Sequence, residues 1–547
     1  MKHSPTFRTL ALLLIALFLC SAPLAAQRLS RSYYEDPHNG FRFRAPDDWM
    51  VIPTQAGQLE SGLTCRMEGE GKMMSFDGRT FDVKPALMVL LIEYPELPEG
   101  GFEGATEEEK EEAQAEYEAA LQRVGAQFVL LRLLGGSGIE FDDPEVDKKI
   151  TARDKLEGRH RAWIQKSRYF DYYVDVFEFE VEGAKLMFLY QVADKVARKW
   201  KKVFTASAKS LEFFEVEHTL EYEKGGTYED IIAYHEELVT RTPGWKVIPT
   251  PSQRFLIKTS SDNMQFVDEV IERLELSRNL FERDFPPSAP ITDVSVVRIC
   301  GTEEEFHSYG GTSSGVGGWF SPRTAELVLF DYRATDRNAT YAVMSHEAFH
   351  QYCFYLFDRS EAHRWFDEGH GDYYGGAKFS RGKAKITPKM PAGFDRLSVI
   401  KGMVQRDEQV PLSRHLNFSH REWQNQGPSG VSCYAQSWSI IYMLRRGALG
   451  DVPRKIWHEE YASIIPNYIA TLQTGFREAY AAILDQRKSE AKFDGRELTE
   501  EELNLTTDDL GAGVKEDIWK AAMEASWGQV DLDEFEENWL TFVRKNL

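Results

Sequence analysis

Cysteine is scarce in this chain: five residues in 547, with Cys20 inside an apolar N-terminal stretch. A chain of this length buries a core of its own and needs no covalent staples. The other four, Cys65, Cys300, Cys353 and Cys433, are therefore read as buried thiols, although an exported chain would allow three pairings among them. Positive charge is also in deficit. Lysine and arginine number 65 against 87 aspartates and glutamates, a formal net charge of −22. Such acidity argues against nucleic acid or an anionic membrane as partner. Long apolar runs are lacking too, since the only candidate, residues 10–19, falls short of the roughly 20 residues a membrane span needs. The glycine-rich segment 310–318, GGTSSGVGG, lacks the Gly-Lys-Ser/Thr of a phosphate loop. It is read as a flap over a cleft.

That short apolar run has a different meaning. Lys2, His3 and Arg8 precede it, and Ala25 and Ala26 follow. This is the pattern of a secretory signal peptide over residues 1–26, with cleavage expected after Ala26. Leu19 stands before Cys20 where a lipoprotein carries a small residue, so lipidation is not expected. The expectation is an exported protein, periplasmic or extracellular, with no integral membrane span after signal cleavage.

What is present is a metal-ligating pattern. Residues 346–350 read His-Glu-Ala-Phe-His. Side chains four apart on a helix share a face, about 5–6 Å between Cβ atoms, so His346 and His350 can aim two imidazoles at one ion. Catalytic zinc usually takes three protein ligands and a water, with Zn–N near about 2.0–2.1 Å. Glu347 is rotated off the ligand stripe, in reach of that water. The ion lowers the water's pKa to about 7, and a nearby carboxylate takes the proton. This is the metallopeptidase logic of the motif.

The third ligand comes from elsewhere. Six residues after His350, where some zinc peptidases carry another histidine, stands Leu356. Cys353 lies near the face of His346, but the rise between them, about 10 Å, is too long to share an ion. Glu368 follows His350 by 18 residues, inside Trp-Phe-Asp-Glu-Gly, at the start of a second helix expected over 368–374. Asp372, one turn further on, is placed to hydrogen-bond a ligating histidine and fix its tautomer. His363, His370, His415 and His420 are read as structural, with a role for one of them as an oxyanion donor the alternative.

His-Glu-x-x-His followed by Trp-x-x-Glu-Gly resembles the gluzincin (peptidase MA) superfamily, which includes thermolysin and aminopeptidase N relatives. The chain looks most like secreted bacterial peptidase-MA-like proteins, over roughly residues 245–547. The resemblance implies Glu368 as the third zinc ligand, Asp372 supporting a ligand, and one Zn²⁺ per chain. Residues 434–451, YAQSWSIIYMLRRGALGD, are similar to the Tyr-x-Lys-Gly helix of the aminopeptidase branch, which implies Tyr434 as oxyanion donor. Gln436-Ser437 replaces that branch's Lys-Gly, and its Gly-x-Met-Glu-Asn strand for a free N-terminus is absent. Exopeptidase action is therefore not implied. If both segments flank the site, as in that superfamily, a Cys353–Cys433 bridge becomes an alternative to free thiols.

The fold class expected is α+β, in two units. Residues 33–215 form an N-terminal antiparallel-sheet domain whose opening and closing segments look like the photosystem P-protein/Mog-like fold. In it, residues 86–94 read as a strand and 107–121 as a solvated helix. Phe177, Phe179 and Val181 alternate with Glu178, Glu180 and Glu182, as in a half-buried strand. Val196, Trp200, Val203, Phe204 and Leu211 mark a covering helix. Residues 216–244 are a helical connector, and 245–547 a gluzincin-like peptidase domain with a helical C-terminal lobe. Its strand over 326–330 is expected to offer the sheet edge on which an extended substrate lies. Residues 374–431 read as loop-rich, and helices are expected over 433–446, 453–464, 467–486, 515–526 and 533–544. The function expected is an exported zinc metallopeptidase acting on a peptide or protein substrate, with Glu347 as general base. The runner-up is a non-catalytic, zinc-containing envelope binding or scaffold protein.

Overall fold

A computed structural model describes residues 27–54, 62–94, 124–134, 143–181, 183–216, 227–312, 315–332, 337–390, 395–426, 430–493, 495–503, 505 and 509–547. The expected signal peptide, the expected helix over 107–121, and Ser313 and Ser314 of the glycine-rich loop lie outside the described residues. The chain divides into two compact units, Met1–Glu221 with Glu237–Pro243, and Tyr222–Glu236 with Gly244–Leu547. The connector helix, Tyr228–Thr240, is shared between them. Among the described residues no helix is long and apolar enough to cross a membrane.

The first unit is built on a seven-stranded antiparallel sheet, ordered Met50–Ile52, Leu63–Glu68, Ala86–Glu93, Ala184–Ala193, Tyr172–Val181, Glu157–Gln165, Val146–Thr151. The helix Asp194–Lys209 sets Phe204 and Ala208 against Phe177, Phe188 and Tyr190 on one face. The helix Ala126–Leu134 sets Val129 and Leu130 against Val174 and Val176 on the other. Tyr172–Val181 is thus covered on both faces rather than half-buried. Glu178 on that strand is buried and paired with Arg161 at 2.7 Å and Lys185 at 3.6 Å. Alternation marked the strand correctly but not the second layer over it.

The second unit holds a five-stranded mixed sheet, ordered Lys246–Pro249, Phe255–Thr259, Ser295–Cys300, Glu326–Phe330, Gly318–Ser321. Its three central strands are parallel and its two outer strands antiparallel. Phe255–Thr259 and Glu326–Phe330 are buried at every residue, as parallel strands covered on both faces are. The helices Met264–Asp284 and Arg337–Leu356 join this sheet in one core with Val270, Leu274, Leu329 and Met344. One expectation is corrected here. Glu326–Phe330 is paired on both sides, so the sheet edge next to it is Gly318–Ser321.

Beyond the helix Arg337–Leu356 two further readings change. The stretch read as loop-rich carries a hairpin, Ala377–Ser380 with Lys383–Ile386, and a helix, Arg396–Arg406, capped by Asp395 and burying Ile400, Met403 and Val404. The helix expected over 453–464 is instead a turn closed from Ile456 N–H to Pro453 O at 3.0 Å, then a short 3-10 helix, Glu459–Ser463. One turn suffices to bury Val452 and Ile456. The helices Val431–Ala448, Ile464–Phe493, Ala512–Trp527 and Leu532–Lys545 form the C-terminal lobe, packed through Trp438, Phe476, Trp527 and Trp539. Cys65, Cys300, Cys353 and Cys433 are free and buried, so the Cys353–Cys433 bridge is not formed.

Candidate metal centre

Two close helix crossings make the site. The helix Arg337–Leu356 is seated on the sheet by Gln351, whose amide donates to Val296 O at 3.0 Å and Ala325 O at 2.9 Å. The helix Arg364–Gly375 approaches it closely because Gly371 has no side chain: a Cβ there would lie 2.9 Å from the His346 ring. Gly369 does the same against the helix Val431–Ala448, where a Cβ would lie 2.7 Å from Ile441 Cγ1. Gly369 and Gly371, both just after Glu368, therefore let three helices meet at its carboxylate.

His346 Nε2 and His350 Nε2 are 3.0 Å apart. Glu368 Oε2 lies 3.3 Å from the first and 3.5 Å from the second. Ligand atoms of a tetrahedral ion with bonds of about 2.0–2.1 Å stand about 3.3–3.4 Å from one another. All three spacings fit that edge, so the donor set suits one divalent cation. It is the one such trio among the described residues.

The outer atoms of the trio are held as well. His346 Nδ1 lies 3.2 Å from Asp372 Oδ1. Asp372 in turn accepts from Arg396, Nε at 2.6 Å and Nη2 at 3.3 Å. His350 Nδ1 lies 2.9 Å from Asp367 Oδ2. A carboxylate beside each Nδ1 favours a proton on that side and leaves Nε2 facing the centre of the trio. Glu368 Oε1 accepts from Arg364 Nη1 at 3.0 Å and from the Tyr434 hydroxyl at 3.3 Å. Glu347 stays outside the trio, and its Oε2 accepts the Phe320 N–H of the edge strand at 3.0 Å.

Burial and charge oppose each other throughout the site. Burial works against the His346 imidazolium, but hydrogen bonds to Asp372 and Glu368 outweigh it and lift the pKa to about 9. His350 is raised in the same way, by Asp367 and Glu368 against burial. Burial pushes the Glu368 carboxyl up, yet the two histidines hold it well below the usual range. For Glu347 burial wins, and its pKa is raised. For Asp372 the Arg396 charge overcomes burial and lowers it. Burial, with Glu368 nearby, raises the Tyr434 phenol.

The trio opens onto a cleft of about 820 Å³, with Phe320, Phe354, Phe418, Trp519 and Met523 among its walls. Of the six candidates read from the sequence, His346, Glu347, His350, Glu368 and Tyr434 line the cleft, and Asp372 lies buried behind His346. His370 and His415 do not. His370 is buried among Phe285, Phe349 and Phe366 with Nδ1 bonded to Phe366 O at 2.8 Å, and His415 bonds Ser437 Oγ at 2.7 Å. His363 lines the cleft. Sequence reasoning missed Asp367, Arg364, Arg396 and the Phe320 N–H. Two of these carried a signal: Asp367 adjoins Glu368, and Arg364 precedes it by one helical turn.

No family model and no curated protein matches the chain. Solved structures with limited similarity to the chain include three of differing coverage. Cyanobacterial PsbP from Synechocystis is 13% identical, spans 36% of this chain and 97% of its own, and has a TM-score of 0.21. The Saccharomyces cerevisiae Ran-binding protein Mog1p is 9% identical, spans 34% and 96%, and scores 0.20. A Bacteroides thetaiotaomicron protein is 9% identical, spans 62% and 80%, and scores 0.17. Scores this low do not establish a shared fold.

Proposed function

We propose that this chain is an exported, zinc-dependent peptidase of the gluzincin type, hydrolysing peptide bonds of a peptide or protein substrate. The observation that carries the reading is the mutual spacing of His346 Nε2, His350 Nε2 and Glu368 Oε2, at 3.0, 3.3 and 3.5 Å, with a second carboxylate, Glu347, beside them and outside the set. His346, His350 and Glu368 would hold one ion per chain, with Asp372 and Asp367 fixing the two imidazoles. When bound, Zn²⁺ would polarise the scissile carbonyl and acidify the attacking water.

The chain's own groups do the rest. Glu347, steadied by Phe320 N–H, takes the water's proton and then gives it to the leaving amine. Tyr434 donates its hydroxyl proton to the oxygen that becomes negative. The edge Gly318–Ser321, whose Phe320 touches the base, supports an extended peptide by strand addition. The signal-peptide pattern over residues 1–26 supports export.

The test is incubation of the purified protein with a diverse peptide library, with and without a metal chelator. Chelator-sensitive cleavage, lost in Glu347→Gln, is expected. An intact, zinc-bearing protein that cleaves nothing would favour the binding or scaffold reading.

A further inference from the structure

We infer that Arg364 is a second donor to the oxyanion, acting beside Tyr434; this rests on the peptidase reading above. Arg364 and Tyr434 come from different helices and converge on one atom, Glu368 Oε1, at 3.0 and 3.3 Å. Both also line the cleft. Arg364 is the more exposed partner of its ion pair, 31% against 11% for Glu368. Arg396, the cation that meets Asp372 on the far side of His346, is engaged by that carboxylate. Glu368, which Arg364 meets, would commit its charge to a bound ion.

The flow of charge gives Arg364 its role. When water adds to the peptide carbonyl, one O–H bond breaks and its proton goes to Glu347. A C–O bond forms, and the carbonyl π pair moves onto the substrate oxygen. Negative charge thus leaves Glu347, at the edge strand, and appears on the substrate. The C–N bond then breaks, its electron pair goes to nitrogen, and the proton on Glu347 follows. A cation on the Glu368 side gains an interaction only as the oxyanion forms, which is the kind of contact that accelerates a reaction. A phenol has one proton to give, so Tyr434 must release Glu368 Oε1 to serve the substrate. A guanidinium has five N–H donors and stays charged, so Arg364 can keep Glu368 and serve the oxyanion together.

The experiment uses the full chain loaded with zinc, as wild type, Arg364→Gln and Arg364→Lys. The probe is an end-blocked phosphinic pseudopeptide with a Phe-Leu core, whose tetrahedral anion copies the adduct. The uncharged peptide of the same sequence is the control. Calorimetry gives affinity, elemental analysis gives zinc, and thermal melting checks folding. Arg364→Gln is expected to keep its zinc and its melting temperature and to bind the phosphinate roughly 10²-fold more weakly, the loss typical of one oxyanion donor. Arg364→Lys should recover part of that loss, and the uncharged peptide should be little affected. Unchanged phosphinate affinity in Arg364→Gln overturns the inference. So does a loss shared equally by the uncharged peptide, or one that follows loss of zinc, because Arg364 would then only position Glu368. A wild type that holds zinc but binds no phosphinate overturns the peptidase reading itself.

Discussion

Asp372 serves two partners, and substitution separates them. It is fully buried, 3.2 Å from His346 Nδ1 on one side and 2.6 Å from Arg396 Nε on the other. In Asp372→Ala, Arg396 stays charged in a site where its side chain is only 12% exposed. Breaking a buried pair on one side costs about 3–5 kcal/mol. The lower end applies, because the Arg396 guanidinium keeps its place 5.1 Å from the Tyr434 ring centroid. His346 also loses the carboxylate that orients it, which typically costs about 10–100-fold in metal affinity. The double variant Asp372→Ala/Arg396→Met removes both charges. Its stability should recover most of that loss, since the uncompensated Arg396 charge is gone and only the Asp372–His346 contact is still missing. Its metal affinity should stay as weak as that of the single variant. Urea unfolding of the metal-free protein gives the first quantity, and competition against a chromophoric zinc chelator gives the second. Equal stability loss in single and double variants, or recovery of metal affinity in the double, would refute the division of labour.

Other substitutions probe neighbouring parts. Asp367→Ala should lower metal affinity by about tenfold or more through His350, with a smaller stability loss than Asp372→Ala because Asp367 is less buried; chelator competition and urea unfolding read both. Gly371→Ala gains about 1 kcal/mol of helix propensity, but its Cβ would press on the His346 ring at 2.9 Å. Overpacking costs about 1–3 kcal/mol, so a net loss of stability and weaker metal binding are expected, and a rise in melting temperature would count against the close crossing. Burial holds His415 down to about pKa 3. An unfolded imidazole titrates near 6.5, so the unfolded chain takes up a proton in that window and the folded chain does not. Stability present above about pH 6.5 is therefore lost as pH falls, by about 2 kcal/mol at pH 5 from this residue. The urea midpoint of His415→Gln should depend less on pH between 7 and 5 than that of wild type.

The trio was legible because helical geometry brings His346 and His350 together and Glu368 sits in a recognisable segment. Asp372 was legible for the same reason, being one turn from Glu368. Arg396 was not. Its helix lies in a stretch punctuated by Pro388, Pro391, Gly393 and Gly402, which reads as loop, although Ile400, Met403 and Val404 repeat at helical spacing. Sheet order was the second blind spot. Glu326–Phe330 and Gly318–Ser321 are both plausible strands, but only three-dimensional pairing shows which of them keeps an open edge. Burial of Glu178 was hidden likewise, since its charges are matched by Arg161 and Lys185 on neighbouring strands rather than nearby in sequence.

Metal content measured side by side with peptide cleavage in wild type, His346→Ala and Glu347→Gln bears most directly on the centre. One equivalent of zinc is expected in wild type and in Glu347→Gln and none in His346→Ala, with cleavage in wild type alone. Zinc retained in His346→Ala, or cleavage persisting in Glu347→Gln, would contradict the assignment of ligand and base.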